Sequence, residues 1–327
     1  MKSTSSGATS SMQRVSLKDI ADELGISQTA VSFAINDRPG VSAETKRRVK
    51  EAAAKMGWRP IYAAQALGSS KTMTVGFAPS RSVRGLKEET FMLHFMAGAH
   101  ESLSRQRYGL LYRPCSSTKE ELDVYRDWAS RKRVDGVILV DLKADDPRPK
   151  LLAELGLPAV LAGGPDPSNL VPSLSIDDSK TMGTILDHLL SRGYRRIAYI
   201  SGDPMLDYSR DREMSFRKFA EINNLEFSSV SFTNFDPNAA VGETLRLLGE
   251  LAAPTAFIYE NEILAAASLH ALAADCLNRD RKSSDGDKRL YPYSIPAIVS
   301  FEDSFVCEAV YPSITSDRKS TRLNSSH

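Results

Sequence analysis

Cysteine is scarce in this chain, with three in 327 residues at positions 115, 276 and 307. An odd, irregularly spaced set offers neither a disulfide framework nor metal-ligand spacing, and it suits a reducing compartment. No apolar run approaches the roughly 20 residues that a membrane-spanning helix needs. The first stretch, MKSTSSGATSSMQR, is rich in Ser and Thr without an apolar core. It does not read as a signal peptide, and a disordered arm over residues 1–14 is expected. Catalytic signatures are missing as well. The chain has no G-x-S-x-G, no H-E-x-x-H and no phosphate-binding loop, and its five His are scattered. The expectation is therefore a cytoplasmic protein that is not an enzyme and carries no cofactor.

Net charge is also nearly absent, at +1, but it is unevenly spread. Residues 1–71 hold eleven Lys/Arg against six Asp/Glu, whereas residues 72–316 hold 28 against 34. A basic amino-terminal segment is what phosphate attraction requires. A solvated helix face is the alternative for any one residue of the run Lys46, Arg47, Arg48 and Lys50.

Within that segment, VSLKDIADELGISQTAVSFAINDRPG (15–40) reads as two short helices joined by a tight turn. Ala21 leaves room where the helices cross, Gly25 sits at the turn where φ must be positive, and Val31 seals the pair. A surface helical hairpin could share this spacing. The following VSAETKRRVKEAAAKMGWRP supplies a third helix. Ser42 caps it, and Val49, Ala52, Ala53 and Met56 form its inner stripe. Gly57 ends it and Pro60 prevents its return.

At this point the chain resembles the LacI/GalR family of bacterial transcription regulators. The words that carry the resemblance are VSLKDIADELGIS, AVSFAIN, GVSAETKRRV, GWRP and AAQAL, in that order, and the match continues to about residue 316. The resemblance implies a helix-turn-helix DNA-binding domain over 15–60, a hinge helix and linker over 61–71, and an effector-binding domain over 72–316.

From Thr72 onward, the pattern itself alternates short apolar strands with amphipathic helices. Strands are expected at 72–80, 110–114, 135–142, 173–178, 195–202, 228–234 and 255–260, with AVLAGG and AIVSF as two more. Helices fall between them, at 91–109, 118–134, 182–194, 211–224, 238–251 and 263–277. Such alternation predicts an α/β fold with two doubly wound parallel-sheet subdomains, periplasmic-binding-protein-like, behind an all-α headpiece. Ligands of such folds sit outside the carboxyl ends of the strands. Residues 278–294 read as a polar loop. The last eleven residues, DRKSTRLNSSH (317–327), look like a translated sequencing adapter. A non-native tail on a domain incomplete at its C-terminus is expected.

The DNA-contacting candidates follow from the helix-turn-helix. Ser27 can cap the second helix and offer its hydroxyl to phosphate. Gln28 and Thr29 lie on its exposed first turn, within reach of base edges. Phe33 is one turn further along, where the family often carries Arg. It would meet thymine methyls or sugar, and packing against the third helix is its alternative. By resemblance, Ser32, Asn36 and Thr45 contact phosphate. Leu67 wedges into the minor groove, and Ala64 lets a partner hinge helix approach. The alternative for Leu67 is a contact with its own domain.

Effector candidates, Arg81 apart, also come from the resemblance. Arg212 in RDREMSF matches the family's cleft arginine, with a surface helix arginine as the alternative. Asn261 and Glu262 match an Asn-Asp pair after a strand, and Glu302 in SFEDS matches an acid of the next such segment. Arg81 follows the first strand and could face the cleft. Asp178 is expected to cap the helix that follows it. The reading is a transcriptional repressor that acts as a homodimer on double-stranded operator DNA and is controlled by a small molecule, a sugar by preference. The alternative is a solute receptor of the periplasmic-binding-protein type, against which residues 15–67 argue.

Overall fold

The computed structural model describes residues 15–58, 71–81, 90–282 and 295–317. The arm, the hinge residues Ala64 and Leu67, Pro60, most of the 278–294 stretch and residues 318–327 lie outside the described residues. The chain divides into two compact units, Met1–Thr72 and Met73–His327.

The first unit is built on three helices, α1 (Leu17–Leu24), α2 (Gln28–Ile35) and α3 (Ala43–Lys55). Each starts at a serine. Ser16, Ser27 and Ser42 accept from the backbone N–H of Asp19, Ala30 and Thr45, and the Asp19 carboxylate returns the bond to close a capping box. Gly25 ends α1 with φ 65°, in the left-handed region. A Cβ there would meet nothing within 4 Å, so the turn needs glycine for its dihedral and not for space. Ile20, Ala21, Val31, Ala34, Val49 and Ala53 form the core. Ala52 and Met56 pack at its margin.

The second unit holds two five-stranded parallel sheets. The first comprises β1 (Thr74–Phe77), β2 (Gly109–Tyr112), β3 (Gly136–Leu139), β4 (Ala159–Ala162) and β5 (Ser173–Leu174), in the order β2-β1-β3-β4-β5. Its helices are α4 (Thr90–Arg105), α5 (Thr118–Ser130) and α6 (Arg148–Glu154). The second comprises β6 (Arg196–Ser201), β7 (Phe227–Phe232), β8 (Ala256–Tyr259), β9 (Ala297–Ser300) and β10 (Thr315–Ser316), in the order β10-β9-β8-β6-β7. With it go α7 (Asp178–Ser191), α8 (Asp207–Ile222), α9 (Pro237–Leu248), α10 (Glu262–Lys282) and α11 (Phe305–Ala309). All pairings are parallel. Helices on both faces explain why every residue of AFIY in β8 is buried without alternation.

The element boundaries depart from the sequence pattern in instructive places. The helix α7 begins at Asp178 and α8 at Asp207, each four residues earlier than periodicity predicts. The first turns carry polar residues, so an apolar stripe cannot register them. The helix α10 continues to Lys282, five residues beyond the expected end, through polar NRDRK. The segment SLSIDD forms only the two-residue edge strand β5.

Gly76 in β1 lies against Trp128 of α5. A Cβ at this position would clash with the indole of Trp128, which is only 1% exposed. Gly76→Ala should therefore overpack this layer and destabilise the second unit by roughly 1–3 kcal/mol. Chemical denaturation should show a lower midpoint for that unit, while the helical signal of the first unit remains.

Candidate functional site

The strands of both sheets end at one cleft. Arg81 follows β1, Asp141 follows β3, Gly163 and Gly164 follow β4, Ile176 follows β5 and Glu302 follows β9, and all of them line it. From the other side come the first turns of α7 and α8, with Asp178, Tyr208 and Arg212. Phe91 and Phe95 of α4, stacked at 6.2 Å, supply an aromatic wall with Leu174 beside it. About 880 Å³ not filled by atoms, open solvent included, lies within the cleft.

Arg212 is not a surface arginine. It is 9% exposed. Its Nη1 donates to Glu260 Oε1 at 2.7 Å and its Nε to Asp178 Oδ2 at 3.2 Å, and the guanidinium stacks 3.9 Å from the Phe301 ring. Glu260 is fully buried and saturated by donors. Tyr199 and the Ser201 hydroxyl donate to one oxygen, the latter at 2.8 Å, and Ser209 donates to the other at 3.4 Å. A buried carboxylate persists only with this kind of pairing.

The helix cap next to this network corrects the sequence reading of Asp178. Asp177, not Asp178, caps α7, accepting from Lys180 N–H at 2.9 Å. Asp178 is the first helical residue, which turns its carboxylate toward Arg212 and the cleft. Burial raises its pKa, and the charge of Arg212 works against that rise.

Arg81 makes a two-pronged pair with Asp141, and both groups are largely buried. The backbone of Asp141 is itself held. Arg148, 1% exposed, donates to the carbonyls of Val140 and Asp141 and is matched by Glu121 and Asp146. The same loop crosses to the other lobe, where the Asp207 N–H donates to the Leu142 carbonyl at 3.0 Å.

Glu302 differs from the other cleft acids. No hydrogen bond to its carboxylate is present among the described residues, and its backbone carbonyl accepts from the Ser300 hydroxyl and the Cys307 thiol. It keeps part of its surface in the cleft while protein encloses the rest. Burial pushes its carboxyl up to about 8, against the pull of Arg212 and with a further push from Glu262 and Glu260.

Of the sequence candidates, the fold thus gathers Arg81, Arg212 and Glu302 at one cleft. Asn261 and Glu262 do not line it. Asn261 accepts from the Leu264 N–H at 3.0 Å at the start of α10, and Glu262 is buried on that helix. Asp141, Tyr208 and Glu260 were not singled out from sequence. A polar residue directly after a strand was the available signal for Asp141 and Glu260.

In the first unit, Ser27, Gln28, Thr29, Asn36 and Thr45 are exposed or nearly so, and Ser32 and Phe33 are half-buried. The Asn36 side chain donates to the Ser32 carbonyl at 2.9 Å, and the Thr45 hydroxyl contacts that of Ser42. Phe33 lies outside the three-helix core and borders Gly40, whose φ is 102°. The basic run is mostly self-neutralised. Arg47 pairs with Glu44 and Glu51, and Lys46 and Lys50 both reach Asp37.

Residues 16–60 match the model of bacterial regulatory proteins of the lacI family, and residues 186–278 match a periplasmic binding protein-like domain. The chain is 31% identical over 264 residues to the HTH-type transcriptional regulator AglR of Rhizobium meliloti, covering 79% of this chain and 73% of that protein. The chain belongs to the lacI family. The regulator CelR of Thermobifida fusca is 28% identical over 315 residues, covering 95% and 88%. A solved CelR–cellobiose complex superposes with a TM-score of 0.65 at 27% identity over 94% of this chain and 89% of that one. The lac repressor dimer bound to operator and an anti-inducer shares the fold, at TM-score 0.72 and 20% identity over 93% and 87%. Membership of this family favours the regulator over the solute receptor. No helix among the described residues is long and apolar enough to cross a membrane.

The raised carboxyl of Glu302 has a consequence for stability. Between about 4.5 and about 8 the folded chain holds a proton on Glu302 that the unfolded chain has released. Stability therefore falls as pH rises through that window. Glu302→Gln should remove this part of the decline, which thermal melts of both proteins from pH 5 to 9 would reveal as a flatter profile in the variant.

Proposed function

We propose that the chain is a sequence-specific repressor that binds a near-palindromic operator as a homodimer and is controlled by an uncharged, hydroxyl-rich effector, a sugar, in the cleft of the second unit. The single observation that carries the effector class is the charge balance of that cleft. Arg81 and Arg212 are the cations among the described lining residues, and each is already matched by a carboxylate. Asp141 and Asp178 line the same space and Glu260 stands behind Arg212, so three carboxylates face two cations and a phosphate or carboxylate ligand would meet no uncompensated positive charge. Hydroxyls, in contrast, can donate to Asp178 and exchange bonds with Glu302, and Phe91, Phe95 and Tyr208 offer apolar faces to ring carbons. The cellobiose bound by CelR belongs to this class of ligand.

In the first unit, Gln28 and Thr29 stand exposed on the opening turn of α2, which suits base-edge contacts in the major groove. Phe33, lacking the bidentate donors of an arginine, would read thymine methyls beside them. Ser27, Ser32, Asn36 and Thr45 would anchor phosphates, and Leu67 would wedge the minor groove with Ala64 allowing a partner hinge to approach. Ligand control requires different effector affinities for the DNA-bound and DNA-free forms.

Gel retardation with the duplex upstream of the gene tests the regulator, with scrambled duplex as control. The expected result is retention of the cognate duplex, relief by a neutral mono- or disaccharide, and no relief by glucose 6-phosphate. Equal retention of cognate and scrambled DNA would overturn specific binding, and release by the phosphorylated sugar alone would overturn the effector class. Leu67→Asp should abolish the specific complex while leaving salt-sensitive nonspecific binding; an unchanged operator footprint would remove the wedge.

A further inference from the structure

The positive excess of residues 1–71 does not lie in the described helical unit. Residues 15–58 carry seven Lys/Arg against six Asp/Glu, and the rest of the excess comes from Lys2, Arg14, Arg59 and Lys71. Within the unit, one acid is placed where two cations converge. Asp37 follows α2 in the left-handed region, with φ 52°. Its carboxylate accepts from Lys50 Nζ through both oxygens at 2.9 Å, and Lys46 Nζ lies 3.8 Å away while donating to the Asp37 carbonyl at 3.0 Å. These lysines come from α3, nine and thirteen residues along the chain. Asp37 is next to Asn36, and Lys46 is next to Thr45, so the pair sits between two positions that would anchor phosphate.

We propose that Asp37 is an internal stand-in for a DNA phosphate, competing with the backbone of any duplex for Lys46 and Lys50 and thereby holding down sequence-independent affinity. This rests on the DNA-binding reading of the first unit. Asp37 and Lys50 are exposed, at 64% and 53% of their side chains, and Lys46 is partly buried at 24%. A pair in water is weakly held, so a phosphate can displace the carboxylate. Each lysine that moves onto DNA must leave an acid behind, which cancels much of the gain that counterion release supplies. Specific contacts from α2 are untouched by this exchange. Asp37 therefore raises the ratio of specific to nonspecific binding without reading a base.

The test is binding of the full chain to a short random-sequence duplex, followed by fluorescence anisotropy from about 50 to about 200 mM salt. Asp37→Asn keeps the left-handed backbone and the carbonyl bond to Lys46 but removes the charge. It should bind more tightly, with a log–log salt slope steeper by up to about 1.8 for two freed lysines. Asp37→Gly, which also accepts this φ, serves as a second variant should the first lose its helical signal. In a Lys46→Gln/Lys50→Gln background, removing Asp37 should change nothing. An unchanged slope in both Asp37 variants overturns the proposal, as does an equal gain in the background without the lysines, which would mean a general charge effect. A wild-type chain with no affinity for any duplex at low salt would overturn the DNA-binding reading too, whereas an unchanged slope with intact DNA binding removes only the role of Asp37.

Discussion

The second unit is organised around a charge that cannot be left alone. Arg212 is almost sealed from water between Glu260 on the end of β8, Asp178 on the first turn of α7 and the face of Phe301 after β9. Removing one partner of such a group strands a buried charge, a loss of about 3–5 kcal/mol. The geometry of three elements is therefore tied to one guanidinium. The same constraint explains why an arginine that faces the cleft is a poor probe of ligand binding when deleted outright, because structure and recognition share its bonds.

A second charge cluster does comparable work in the other lobe. Arg148 fixes the backbone of Val140 and Asp141, and Asp141 in turn fixes Arg81 at the cleft wall. Both cleft arginines thus arrive already neutralised. The cavity presents acids, ring faces and one carboxyl without a hydrogen-bond partner among the described residues, which is a surface for hydroxyls and not for anions. That distinction could not be made from the presence of arginine alone.

The first unit solves its folding problem with local means. Serine caps on all three helices and a left-handed glycine fix the backbone, and six small or branched apolar side chains close the core. Its charges are also largely satisfied within the unit. A basic run in a sequence is a count of cations, and what it can offer a polyanion depends on how many acids stand within reach.

The sequence by itself determined whatever depends on neighbours a few residues apart. The caps at Ser27 and Ser42, the turn at Gly25 and the strand–helix alternation of a doubly wound domain were all legible, because capping, backbone dihedrals and apolar periodicity act within one or two turns. Family resemblance added Arg212 and Glu302 as cleft residues, and a place just after the first strand added Arg81. Tertiary structure alone decided that Asp178 meets Arg212, that Glu260 supplies the counter-charge, and that Asp37 draws Lys46 and Lys50 across from α3. These pairings join residues separated by nine to forty-eight positions. Coulombic partners are chosen by distance in space and by burial, and neither is written in the local pattern.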